Sequence, residues 1–212
     1  MKKVFAIVLI ACLAFGVAFA AKSSLKVGAQ LGYGGEFLKL SKDSAYLKVN
    51  NGGFYAAGTF ELGLTDDFAF KAEAGINTMG KAKATLKAGS IETNLPTSDS
   101  TPMHFSAYFG GQYALELSKD FDLLVGAGVD ALIGKESAKD DAKVNAAIGL
   151  GLEAVGSYNV SKEAAITFGA KFGWHFINTD KDIDDAYSEI GDEGVSISNI
   201  SLKVFAGVTY AL

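Results

Sequence analysis

The stretch "ISLKVFAGVTYAL", residues 200–212, decides the fold. Ile200, Leu202, Val204, Ala206, Val208, Tyr210 and Leu212 alternate with polar, charged or small residues. A period of two is that of a strand with one apolar face and one different face. The alternation runs unbroken to Leu212, the final residue. A strand this regular needs a partner on each edge. The expected partner is the first alternating segment, residues 25–37, so that the last strand closes the sheet onto the first.

The same period recurs along the chain. It marks about eight segments: 25–37, 54–64, 68–76, 103–117, 121–133, 144–158, 166–176 and 200–212. Each is long enough for the roughly 9–11 residues that a tilted membrane-spanning strand needs. The connections alternate in length. Short ones fall at 65–67, 118–120 and 159–163, and longer polar ones are expected at 41–52, 87–102, 135–142 and 179–195. Short turns at one rim and long loops at the other are the pattern of an even-stranded transmembrane barrel.

Composition agrees. The chain has 212 residues, 49% hydrophobic and 20% charged, which excludes disorder as a description of the whole and suits one domain. Gly is frequent at 25 residues, Pro is rare at 2, and 15 Phe and 8 Tyr accompany one Trp. Glycine and aromatics without proline favour long uninterrupted strands.

Residues 1–20 read as a secretory signal peptide, leaving 21–212 as the barrel domain. Lys2 and Lys3 form a basic start, 4–17 is apolar, and Ala18-Phe19-Ala20 is a cleavage signal. Cys12 is the only cysteine. Its "LIAC" setting superficially matches a lipoprotein box, but the apolar run that follows argues against lipidation. Removal of the leader leaves no thiol for a disulfide or a metal site. Without Lys2 and Lys3 the chain carries 17 basic and 24 acidic side chains, a formal net charge of −7. That excess argues against nucleic acid as a partner.

Alternation alone does not say which face is outside; three features decide. No charge falls in the eight apolar sets, as lipid exposure requires, because a Lys or Arg at the bilayer midplane costs about 2–4 kcal/mol. The opposite face mixes glycine with charge: Lys26, Glu36, Glu61, Lys71, Glu73, His104, Glu116, Asp130, Glu153, Lys171, His175 and Lys203. Glycines there make room in a narrow lumen for a polar network. Aromatics gather at strand ends, with Tyr113, Tyr158 and Tyr210 near the short turns and Trp174 and Phe176 near the long loops, like an interfacial girdle.

With these residues in view, the mature chain, 21–212, resembles the small eight-stranded outer-membrane barrels of diderm bacteria, the broad OmpA/OmpX/OmpW-like class. The fold expected is an all-β, eight-stranded antiparallel up-and-down transmembrane β-barrel. "GVTYAL" is similar to the terminal signal by which such proteins are recognised for insertion, with Gly207, Tyr210 and Leu212 as its elements. Phe205 and Leu212 depart from it, where a polar and an aromatic residue are usual. The resemblance implies a bacterial outer-membrane location, and outer-membrane lipid and the assembly machinery as partners. It also implies a monomer with either a structural or surface-interaction role or a narrow OmpW-like path for small or hydrophobic solutes. An extracellular ligand is a further expected partner.

No motif supports catalysis, a cofactor or a metal, and no such site is assigned; an outer-membrane enzyme, with an acid/base or nucleophile cluster about the histidines, is the less favoured alternative to an interior polar network. The two histidines, His104 and His175, lie at the long-loop end of the inward face, where Glu36, Asp130 and Ser106 are candidate neighbours. Asp180, Asp182 and Asp184 begin like a calcium loop, but Asp185 and Gly191 stand where Gly and Glu are required. Residues 87–102 read as an exposed loop, and "KAKATLKAG" before it keeps alternating, so a hairpin is expected to project beyond the membrane.

Overall fold

A computed structural model describes residues 24–80, 82–95, 103–136, 143–178 and 195–212. Residues 1–20, with Cys12, and the acidic stretch 180–193 lie outside the described residues. Ten strands are present: β1 Leu25–Lys42, β2 Ala45–Gly63, β3 Phe68–Met79, β4 Lys83–Ala88, β5 Ile91–Leu95, β6 Met103–Ser118, β7 Phe121–Glu136, β8 Lys143–Asn159, β9 Ala164–Asn178 and β10 Val195–Ala211.

Eight of these form a closed antiparallel barrel in the order β1, β2, β3, β6, β7, β8, β9, β10, with β1 paired to both β2 and β10. The terminal strand therefore does close the sheet. Lys26 faces Ala211, and pairing continues to Lys42 opposite Val195. Closure leaves the wall no edge, which lipid would not tolerate. At one rim the connections are short: 64–67, 119–120 and 160–163.

The other rim differs from the expected loops. Residues 41–52 are not a long connection. β1 and β2 run on to a two-residue turn at Asp43-Ser44, where Asp43 takes a φ of 50°. Asp is one of the few residues that accept this left-handed conformation. β4 continues the line of β3 and pairs with the top of β2, from Ala45 opposite Ala88 to Asn50 opposite Lys83. β5 then pairs with β4 across a turn at Gly89, whose φ is +61°. The upper parts of β10, β1 and β2 together with β4 and β5 make a five-stranded sheet that stands above the barrel, with the expected projecting hairpin at its free edge.

The outer wall is apolar. Leu31, Phe54, Phe60, Phe105, Phe109, Val129, Leu152, Phe168, Val204 and Val208 are all exposed on it. Tyr113, Tyr158 and Tyr210 lie on it toward the short turns, and Trp174 and Phe176 toward the opposite rim. β9 carries a bulge there: Ile148 pairs with Ile177 and Gly149 with His175, so Phe176 and Ile177 both face outward.

Beside the bulge, two backbones lie close together at Gly149. A Cβ at this position would lie 1.8 Å from the Trp174 carbonyl oxygen and 2.5 Å from the His175 Cα. Backbone atoms cannot rotate away. Gly149→Ala is expected to destabilise the folded barrel by about 1–3 kcal/mol, or more, as overpacking does. Gly58→Ala is the control, since its nearest neighbour would be 4.0 Å away. Urea midpoints of the two refolded variants in lipid vesicles are the measurement; equal midpoints would refute the clash.

Candidate functional site

The lumen is crossed by charged side chains at successive heights. Each comes from an inward position on its strand, and each finds its partner on a different part of the wall. In the middle layer Lys71 on β3 donates to Glu153 Oε2 on β8 at 2.8 Å. Lys171 on β9 donates to Glu73 Oε2 on β3 at 2.5 Å and lies 3.6 Å from Glu153. Gln112 donates to the other Glu153 oxygen at 3.3 Å, and the Tyr55 hydroxyl donates to Glu73. The four ionised side chains are at most 1% exposed. Two cations and two carboxylates at this depth compensate one another, which burial of charge requires.

Aromatic rings fill the space between. Lys171 stands 4.2 Å over the Tyr108 ring, Lys203 5.4 Å over Tyr55 and Lys71 5.9 Å over Phe205. Tyr55 and Phe205 are themselves in contact, with ring centroids 6.3 Å apart. Each ammonium thus meets a ring face as well as a carboxylate, an attraction that strengthens when water is excluded. Phe205, the residue that departs from the insertion pattern, supplies part of this packing.

Above lies a second layer. His175 Nε2 is 3.0 Å from Asp130 Oδ2, Ser201 donates to the same oxygen at 3.4 Å, and Lys203 Nζ is 3.6 Å from Asp130 Oδ1. Near the outer mouth His104 Nδ1 lies 2.9 Å from one Glu36 oxygen and 3.0 Å from the other. The two histidines therefore belong to separate pairs, and Ser106 hydrogen-bonds to neither among the described residues. Asp130 sits between His175 and Ser201, whereas a nucleophile needs the imidazole between carboxylate and hydroxyl. Among the described residues no group of three His, Cys, Asp or Glu is placed to hold a metal ion.

Lys26, Glu61 and Glu116 mark the short-turn mouth. Glu61 is buried; Lys26, expected within the lumen, is exposed and lines with Glu61 and Gln112 a cavity of about 60 Å³. Glu116, also expected inside, is exposed near the end of β6, next to the bulge at Leu117, and joins none of the lumen's ion pairs among the described residues. Gly207 and Tyr210 lie on the closing strand and Leu212 directly follows it, with Tyr210 and Leu212 both exposed.

Sequence reasoning by composition misses Tyr55, Tyr108, Leu132, Val155 and Phe205, all buried in the lumen. Their parity was the available signal: Phe205 shares a face with Lys203, and Tyr108 with Ser106. It also misses that the projecting sheet reverses the barrel's polarity. Leu38, Leu40, Leu47 and Val49 continue the lumen-side face, whereas Lys39 and Lys48 continue the outward face.

No protein-family model matches the chain, and no curated protein matches it in sequence. Among solved structures it is similar to Neisserial surface protein A (NspA), with a TM-score of 0.56 and 14% identity over 89% of this chain and 97% of that one. It is likewise similar to the outer membrane protein OprG from Pseudomonas aeruginosa, with a TM-score of 0.50 and 13% identity over 88% and 95%. The shared feature is the fold: a small eight-stranded barrel of the outer-membrane type.

Proposed function

We propose that this outer-membrane-type barrel is a non-conducting surface protein, with a structural or interaction role carried by the sheet that stands above its rim. The observation that carries this reading is the middle lumen layer. Lys71, Glu153, Lys171 and Glu73 bridge strands on opposite sides of the barrel, and Tyr55, Tyr108 and Phe205 fill what remains. An eight-stranded barrel encloses little more than its own side chains, and here those side chains hold one another. In this reading residues 1–20 direct secretion and are removed. The closing strand, with Gly207, Tyr210 and Leu212, presents the insertion signal, and the monomer lies in the bacterial outer membrane with the projecting sheet outside.

The test is single-channel recording of the refolded protein in planar bilayers. No sustained current steps are expected at any holding potential. Recurrent discrete openings would overturn the proposal in favour of a narrow path for small solutes.

A further inference from the structure

We propose that the outward face of the projecting sheet is a docking surface for the anionic, phosphate-bearing headgroups of the lipid leaflet around the upper rim. The proposal rests on the barrel spanning a membrane, and not on whether its lumen conducts.

The register defines the face. Phe37, Asn50 and Lys83 are side by side on β1, β2 and β4; the next outward row is Lys39, Lys48, Thr85 and Asn94; the row above is Ser41, Tyr46, Lys87 and Glu92. Lys39 and Lys87 flank the Tyr46 ring at 5.3 Å and 5.8 Å, so these side chains do share one side of the sheet. Four lysines face one carboxylate, Glu92. That carboxylate accepts a hydrogen bond from the Tyr46 hydroxyl at 3.3 Å. Among the described residues none of the four lysines is ion-paired. This is a cationic patch on a chain whose mature net charge is negative.

Its height is equally specific. From Leu25 to Phe37, β1 presents an apolar outward row. Twelve steps of about 3.3 Å along a strand tilted by roughly 40° rise about 30 Å, the thickness of the hydrocarbon core. The headgroup layer adds roughly 5–7 Å on each side. Lys83 is in register with Phe37, and Lys39 and Lys48 stand one outward row further along their strands, so the patch begins where the apolar row of β1 stops. A lysine directed to the side at that level meets headgroups, not bulk water. Attraction to anionic headgroups is appreciable for each such lysine and falls off within a Debye length. The opposite face of the same sheet carries Leu38, Leu40, Leu47 and Val49, so the sheet has a fixed side to present to lipid.

The test is lipid selection by the full refolded chain. Wild-type protein is equilibrated in micelles holding equal phosphatidylcholine and phosphatidic acid, and the retained lipids are counted by native mass spectrometry. A preference for phosphatidic acid of about tenfold or more is expected, falling steeply with salt. Changing Lys39, Lys48, Lys83 and Lys87 together to Gln is expected to abolish it, and changing them to Arg to keep it. Lys119→Gln with Lys162→Gln, at the short-turn rim, is expected to leave it intact. The pair Lys48→Gln and Lys83→Gln, which spares the Tyr46 cluster, is expected to weaken the preference and serves if the fourfold variant does not fold; heat-modifiable gel migration reports folding. Millimolar inorganic phosphate at constant ionic strength is expected not to displace the lipid. Undiminished preference in the folded glutamine variants overturns the proposal. So does displacement by free phosphate, or capture of soluble polyphosphate by protein in pure phosphatidylcholine vesicles with no lipid preference.

Discussion

Glu153→Ala is expected to lower the stability of the folded barrel by about 3–5 kcal/mol, the range for removing one partner of a buried ion pair. Glu153 is the hub of the middle layer. It accepts from Lys71 at 2.8 Å and from Gln112 at 3.3 Å, and Lys171 lies 3.6 Å away. Its side chain is fully buried and that of Lys71 nearly so. Truncation leaves the Lys71 ammonium without its carboxylate in a site that water barely reaches. The cost is the desolvation of an uncompensated charge, not merely a lost contact. The double variant Glu153→Leu with Lys71→Met is therefore expected to be more stable than Glu153→Ala alone, because replacing both ions by apolar groups removes the uncompensated charge. Urea titration in lipid vesicles, followed by heat-modifiable migration, measures both. If Glu153→Ala were within about 1 kcal/mol of wild type, the pair would be behaving like a solvated surface bridge, and the tightly packed lumen would be refuted.

Leu152→Lys is expected to cost about 2–4 kcal/mol, as a cation near the bilayer midplane does. Leu152 is exposed on the outer wall of β8. It lies midway along the outward row of β8, between Tyr158 near the short turns and Ala146 toward the other rim. Lipid is its only solvent. Val160→Lys is the companion measurement. Val160 is equally apolar and exposed, but it sits in the turn after β8, where the depth penalty falls to about 0–1 kcal/mol. Equal losses at the two positions would mean that the wall does not face hydrocarbon. A soluble barrel with an outer coat of this composition would then have to be considered, and a mature chain that stays soluble without detergent would establish it.

Much of the architecture was legible in the residues because a strand's side chains alternate with a period of two. That period separates Val204 from Lys203 and Phe168 from Thr167 without any knowledge of neighbours. The glycine content of the charged face indicated which side was enclosed. Residues 41–52 show where the reading fails. Their polar composition predicts a loop, but residues 45–50 pair with β1 and β4 in a sheet above the membrane. There water replaces lipid outside, and the rule that outward means apolar no longer holds. Leu38 and Lys39 exchange the roles that Glu36 and Phe37 hold just below.

The number of spanning strands, their faces, the turns at one rim and the closing role of residues 200–212 follow from the residues alone. Which of the inward charges meet does not. Lys71 and Glu153 are 82 residues apart, and Lys171 and Glu73 are 98 apart. Alternation assigns a side chain to a face but says nothing of its height relative to a strand across the barrel. Height follows from tilt, from the stagger between strands, and from irregularities such as the bulge at Phe176, and these are set when the sheet closes. For the same reason His104 and His175, both expected at the long-loop end of the inward face, end on different carboxylates.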